Sequence, residues 1–201
     1  NGEVICVDSR TVYRGMDIGT AKSKGEWKNQ IVITRPAGQV MTIKDLQVFL
    51  QGQQKALFVE GVPHWGIDLV EPDKEYSIAD FKVYAEKKIA EIVKRGKVPI
   101  LVGGAGLWID AIVDNLALPE GPPDPVLRAQ LEKKISAELF EQFEKLDPAG
   151  ALEIDEFNKR RLVRALEVCL KSGKPFSEMK SKGPTKYNAI KIGIEVDREE
   201  L

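Results

Sequence analysis

The chain has 201 residues, 43% hydrophobic and 30% charged, which is length and apolar content enough to bury a core without disulfides or metals. Its 30 Lys and Arg against 31 Asp and Glu give a formal net charge of −1; this excludes the broad basic surface of a nonspecific nucleic-acid binder and leaves polyanion contact to local clusters. Cys6 and Cys169 lie far apart in apolar stretches, so neither a disulfide framework nor a zinc cluster is expected, and no apolar run reaches bilayer-spanning length.

In chain order, Asn1-Gly2-Glu3 runs directly into Val4-Ile5-Cys6-Val7, the pattern of a strand buried on both faces of a parallel sheet, ending in the polar tip Asp8-Ser9. An opening at the edge of a buried strand is the expectation for a fragment. Between Trp27 and Glu60 the pattern is weak, with a strand over 31–34 and a helix over 43–50 as the reading. Ser77 followed by Asp80 resembles a capping box, after which Phe81, Ala85, Ile89 and Ile92 recur at helical spacing until Gly96. Val98-Pro99-Ile100-Leu101-Val102 is a second wholly apolar strand, and Gly103-Gly104-Ala105-Gly106 turns from it into a helix near Leu107. Strand, glycine turn and helix in that order predict an open α/β sheet.

From Pro119 the texture changes. Pro119, Pro122, Pro123 and Pro125 form a stiff linker, followed by helical patterns over 126–146 and 154–171; Ser172-Gly173-Lys174-Pro175 closes the last helix with a left-handed glycine cap and a proline just beyond. Ile192-Gly193-Ile194-Glu195-Val196 is strand-like again. The predicted organisation is a partial α/β core over 1–118, a helical insertion over 119–188 and a return to the core sheet over 189–201, in a monomeric protein of the cytoplasm without membrane contact.

Three places carry candidate chemistry. Asp8 at a strand tip is either a turn cap or a functional carboxylate. The glycine turn places backbone N–H groups at a helix N-terminus, where the dipole favours an anion; the same glycines also serve close packing of helix on strand. Arg160 and Arg164, four apart, share a helix face, and Lys159, Arg161, Lys171, Lys174, Lys180, Lys182 and Lys186 add positive charge sufficient to hold an RNA backbone. The alternative for that helix is a solvated face with Glu156–Arg160 and Arg164–Glu167 pairs. His64 is the sole histidine, which suits a structural or pocket-lining role.

The run Asp8-Ser9-Arg10-Thr11-Val12-Tyr13-Arg14-Gly15-Met16-Asp17-Ile18-Gly19-Thr20-Ala21-Lys22 resembles the signature of the tRNA dimethylallyltransferase family at every position but Thr11. The resemblance continues, collinearly, in Gly61-Val62-Pro63-His64, Tyr76-Ser77-Ile78-Ala79-Asp80-Phe81, Pro99-Ile100-Leu101-Val102-Gly103-Gly104-Ala105-Gly106-Leu107 and Arg161-Leu162-Val163-Arg164-Ala165-Leu166-Glu167. It implies a P-loop-NTPase-like parallel sheet with an inserted helical domain, and transfer of a dimethylallyl group from dimethylallyl diphosphate to N6 of the adenine beside the tRNA anticodon. By the same resemblance, Asp8 is the catalytic carboxylate, and Asp8, Ser9, Arg10, Thr11 and Ala105, with Arg160, Arg161, Leu162, Val163 and Arg164, meet the anticodon stem-loop. Gly103, Gly104 and Gly106 are implied as diphosphate-binding, and Mg2+ as the companion of the substrate's diphosphate. Two departures stand out: Ala105 where the family carries threonine, and Trp65 where a second histidine is usual. The family's glycine-rich phosphate loop does not occur in this sequence, so the chain alone is expected to be inactive. Three other readings stay open: a prenyltransferase acting on free adenine nucleotides, a nucleotide kinase of related architecture, and a noncatalytic RNA-binding remnant.

Overall fold

The computed structural model describes residues 1–30, 54–118, 123–180, 182–197 and 199. The chain divides into two compact units, Asn1–Ile112 and Val113–Leu201. The strand expected over 31–34 and the helix expected over 43–50 lie outside the described residues.

The first unit is built on a five-stranded sheet in the order β2-β3-β4-β1-β5. Its strands are β1 (Gly2–Cys6), β2 (Glu26–Gln30), β3 (Gln54–Val59), β4 (Val62–Trp65) and β5 (Val98–Val102). β1 runs parallel to both β4 and β5, with Val4 opposite His64 and Ile100, while β2 and β3 extend the sheet antiparallel. The expected α/β sheet is therefore present, with a parallel centre and an antiparallel flank that the weak 27–60 pattern did not announce.

Helix α1 (Ile78–Lys94) begins where the sequence places it. Ser77 Oγ accepts from the Asp80 N–H at 3.3 Å, and Asp80 Oδ2 accepts from the Ser77 N–H at 2.9 Å, satisfying two of the helix's orphan donors. Its apolar stripe of Phe81, Ala85, Ile89 and Ile92 is buried, each large side chain contributing about 1.5–3 kcal/mol of burial. Trp108, on the short helix α2 (Gly106–Val113), closes over Phe81 with ring centroids 4.8 Å apart.

The strands are not buried on both faces as expected. In β1 and just beyond, Glu3, Ile5 and Val7 are fully buried while Val4 and Cys6 are only half-buried; in β5, Val98, Ile100 and Val102 are exposed. An apolar strand is fit for two covering layers but does not supply them. Glu3 is the unexpected member of the buried set. Its carboxylate accepts from Trp65 Nε1 at 2.7 Å and pairs with Arg95 and Lys97, at 2.7 and 3.1 Å, which is the condition on which a charge stays inside.

The second unit is helical: α3 (Pro125–Leu131), α4 (Ser136–Leu146), α5 (Pro148–Ala151) and α6 (Lys159–Ser172), then a 3-10 turn at Ser177–Lys180. The single helix expected over 126–146 is thus two, separated at 132–135. Asp124 caps α3 by accepting from the Val126 and Leu127 N–H groups, both at 3.0 Å. Gly173, at φ 67°, ends α6 in the left-handed conformation the sequence calls for. Leu131, Leu139, Phe143, Ile154, Leu162, Val163 and Leu166 form one buried cluster. Beneath it the buried Asp147 joins α5 to the 3-10 turn, accepting from Gly150 N–H, Ser177 N–H and Ser177 Oγ at 2.7–2.8 Å.

The strand-like pattern of 192–196 does not form a strand. Residues 183–197 carry no strand, and Ile190, Ile192 and Ile194 are 85–91% exposed. The start of this segment is held within the second unit, where Leu116 bridges Lys182 and the Gly183 N–H donates to Asn115 O at 3.0 Å. Alternating apolar residues become a strand only where a neighbouring strand takes up their backbone groups.

Candidate functional site

β1 ends at Cys6, and the backbone turns sharply at Asp8 because that side chain folds back on the chain. Asp8 Oδ1 accepts from the Arg10 N–H at 2.7 Å and the Thr11 N–H at 3.3 Å, the Asx-type turn that aspartate favours. The turn-cap reading of Asp8 is therefore realised. One oxygen is pinned by the turn, and among the described residues Oδ2 accepts nothing.

The excursion from Asp8 to Lys22 is fastened along the segment after β4. The Asp68 N–H donates to Thr11 O at 3.0 Å, the Leu69 N–H to Val12 O at 2.7 Å, and the Arg14 N–H to Val70 O at 2.9 Å. Arg14 adds an ion pair to Glu71 at 2.6 Å. This docking returns the chain past the strand tip, so that Asp8, Ser9, Arg10, Gly19, Thr20, Ala21, Gly104 and Ala105 line one open cavity of about 280 Å³.

Five of the residues expected at the site face this cavity: Asp8, Ser9, Arg10, Gly104 and Ala105. The Arg10 guanidinium makes no ion pair or hydrogen bond among the described residues. Thr11 does not join them. It is buried, and its hydroxyl donates to Asp8 O at 3.5 Å, so it supports the turn instead of facing a ligand. Gly103 is fixed by packing. A Cβ there would lie 2.0 Å from Val7 O, so only glycine lets the turn pass the end of β1. The Gly106 N–H donates to Gly104 O at 3.1 Å and the Ala105 N–H to Val7 O at 3.4 Å; these two donors are engaged inside the turn, which weakens the expected diphosphate cradle. Gly19, Thr20 and Ala21 were not singled out as site residues, although all three stand in the signature run. No local pattern marks a loop as one wall of a cavity.

The cavity offers a magnesium ion one carboxylate, Asp8, whose Oδ1 is already engaged, beside the hydroxyls of Ser9 and Thr20. That donor set does not make a protein-held site for a cation that requires near-octahedral oxygen ligation. Among the described residues no group of three His, Cys, Asp or Glu is placed to hold a metal. Asp17 and Asp68 instead contact Lys22, and the half-buried His64 directs Nδ1 at Val62 O, 2.9 Å away.

In the second unit the basic helix resolves residue by residue. Arg160 and Arg161 are exposed, and their side chains make no ion pair or hydrogen bond among the described residues. Arg164 is half-exposed and donates Nη1 to Glu167 Oε2 at 2.7 Å. Glu167 is fully buried and also accepts from Arg128 Nη2 at 2.9 Å and from the Asp124 N–H at 2.6 Å. Burial alone would raise its pKa, but these donors outweigh burial and hold it at about 2. Leu162 and Val163 are buried in the helical cluster. Their side chains hold the helix in the core and are not presented to a ligand. Among the described residues no helix is long and apolar enough to cross a membrane.

Comparison with known proteins gives one consistent result. The family model described as IPP transferase matches residues 52–201. The chain is similar to a tRNA dimethylallyltransferase of Herpetosiphon aurantiacus, 38% identical over 100% of this chain and 55% of that protein. It is also similar to one of Roseiflexus sp., 38% identical over 96% of this chain and 55% of that protein. Among solved structures it resembles a eukaryotic dimethylallyltransferase captured acting on tRNA, with a TM-score of 0.56 and 26% identity over 89% of this chain and 37% of that one. The chain spans about half the length of the curated relatives it matches.

Proposed function

The chain belongs to the IPP transferase family, and from that premise we propose that it carries the adenine-binding part of a tRNA dimethylallyltransferase. In this reading a dimethylallyl group passes from dimethylallyl diphosphate to N6 of the adenine beside the anticodon, and diphosphate is released. The observation that carries the reading is the divided role of Asp8, with Oδ1 pinned by two backbone donors and Oδ2 left for a ligand.

An exocyclic amine conjugated to a purine is a weak nucleophile. As N6 forms its bond to the allylic carbon, the bond from that carbon to the diphosphate oxygen breaks, and the nitrogen must shed a proton. Asp8 Oδ2 accepts it. Such general-base assistance is worth roughly 10²–10⁴-fold, and the turn that fixes Oδ1 orients the carboxylate before substrate arrives. Ser9 and Arg10 supply a hydroxyl and an unpaired guanidinium beside the base for its edge or the flanking phosphates. Gly104 and Ala105 form the side of the cavity assigned to the diphosphate. Among the described residues no ligand set would hold a magnesium ion, which would accompany the diphosphate as its counter-ion. Arg160 and Arg161 provide the separate, sequence-independent hold on RNA phosphates.

The test is transfer of label from dimethylallyl diphosphate by the full-length gene product, offered an anticodon stem-loop RNA or a free adenine nucleotide. Label in the RNA with release of diphosphate is expected. Label in the nucleotide alone would replace this reading with the free-nucleotide prenyltransferase, and RNA binding without label in either acceptor would replace it with a noncatalytic module.

A further inference from the structure

Lys22 is a charge placed inside the protein. Its side chain is 6% exposed, and Nζ donates to Tyr13 O at 2.9 Å, Asp17 Oδ1 at 2.7 Å and Asp68 Oδ1 at 2.6 Å. An ammonium has three donors, and all three are used. A buried cation persists only when it is paired and fully hydrogen-bonded.

What these three oxygens join is informative. Tyr13 and Asp17 belong to the excursion that leaves Asp8, whereas Asp68 belongs to the segment after β4. One ammonium therefore ties together three points of backbone around the 19–21 wall of the cavity. That wall has little else to define it. Gly19 and Ala21 sit at positive φ, 73° and 51°, a region in which Ala21 is disfavoured, and the Thr20 hydroxyl donates to Met16 O within the same loop at 2.7 Å. Without the cation, Asp17 and Asp68 would be left as neighbouring like charges.

We propose that Lys22 is a positioning residue that holds the 19–21 wall in place and so shapes the cavity for its ligand without touching it. Asp8 is set independently, by the Arg10 and Thr11 N–H groups. Losing Lys22 therefore changes where the ligand rests and leaves the carboxylate as it was. Misplacement of this kind, distant from the reacting atoms, costs up to about 10²-fold.

The test compares Lys22→Met and Asp68→Asn with the parent in the full-length gene product, by hydrogen exchange and by steady-state kinetics. The kinetic arm rests on the function proposed above, and the exchange arm does not. Amides of 13–22 are expected to exchange at least about tenfold faster in Lys22→Met while those of β1 and α1 keep their protection. kcat/KM for the RNA is expected to fall about 10–100-fold beyond any change in folded fraction, with the pH profile of kcat unmoved, and Asp68→Asn to move both readouts the same way by less. Unchanged exchange over 13–22, or a fall in kcat that follows the folded fraction at constant KM, overturns the assignment. Should Lys22→Met not fold, Asp68→Asn decides: parental exchange over 13–22 overturns the proposal, and faster exchange there alone supports it. If the loop loosens as expected while the parent prenylates no RNA, Lys22 keeps its role and the proposed function fails.

Discussion

Two carboxylates, one in each unit, have opposite fates. Asp8 is half-buried, gives one oxygen to a turn and keeps the other open to a cavity. Glu167 is fully buried and surrounded by Arg128, Arg164 and the Asp124 N–H. The difference lies in the lone pairs left over. A carboxylate whose acceptor sites are filled by its own chain ties helices together, whereas one half-filled and held rigid can take a proton from something else. Lys22 is the inverse of Glu167, a buried cation between two aspartates, and it secures a loop where Glu167 joins α3 to α6.

Substitutions can break or sharpen this contrast. The largest expected effect on activity is at Asp8. Asp8→Asn keeps an oxygen for the turn and removes the base, so kcat of the full-length gene product should fall roughly 10²–10⁴-fold with the unfolding midpoint little changed. Activity close to the parent's would end the catalytic assignment. At Glu167 the contrast predicts the reverse, a loss of stability of about 1.5–3 kcal/mol for Glu167→Ala, because the Asp124 N–H and two part-exposed arginines lose a shared acceptor; urea unfolding reads it directly.

The pH dependence of that stability has a definite sign. The folded pKa of Glu167, about 2, lies below its ordinary value of 4.5, so the unfolded chain takes up the proton first. The stabilisation is complete above about pH 5 and is lost as pH falls from 4.5 towards 2. Urea midpoints measured across that window should converge for the parent and Glu167→Ala; a constant gap between them would mean that the carboxylate's charge is not what holds the helices.

The smallest effect separates two kinds of arginine. Replacing Arg160 and Arg161 together by alanine should lower the slope of log affinity for anticodon stem-loop RNA against log salt by about 1.5, on a per-phosphate slope of roughly 0.7–0.9. Arg164→Ala, whose charge is already shared with Glu167, should change the slope less and stability more. Equal salt slopes for all three proteins would remove RNA binding from this helix.

Much of the fold was legible because its signals are local. The Ser77–Asp80 box, the Gly173 cap, the apolar run of β5 and the turn after it each act within a few residues. The strand-tip Asp8 was legible for the same reason. The 190–196 segment misled because its alternation fits a strand only when a partner strand lies beside it. Leu162 and Val163 entered the expected RNA contacts through the family resemblance, which carries a consecutive run as a whole, and only the packing shows that both side chains lie in the helical core.

The sequence by itself determined where α1 begins and α6 ends, where the chain must turn after β5, and that a carboxylate stands at the tip of β1. Only the tertiary structure decided which charges remain available for a ligand. Lys22 meets Asp68 across 46 residues and Glu167 meets Arg128 across 39. The reason is physical: removal from water makes a charge seek a partner, and which partner comes within reach depends on how distant segments pack.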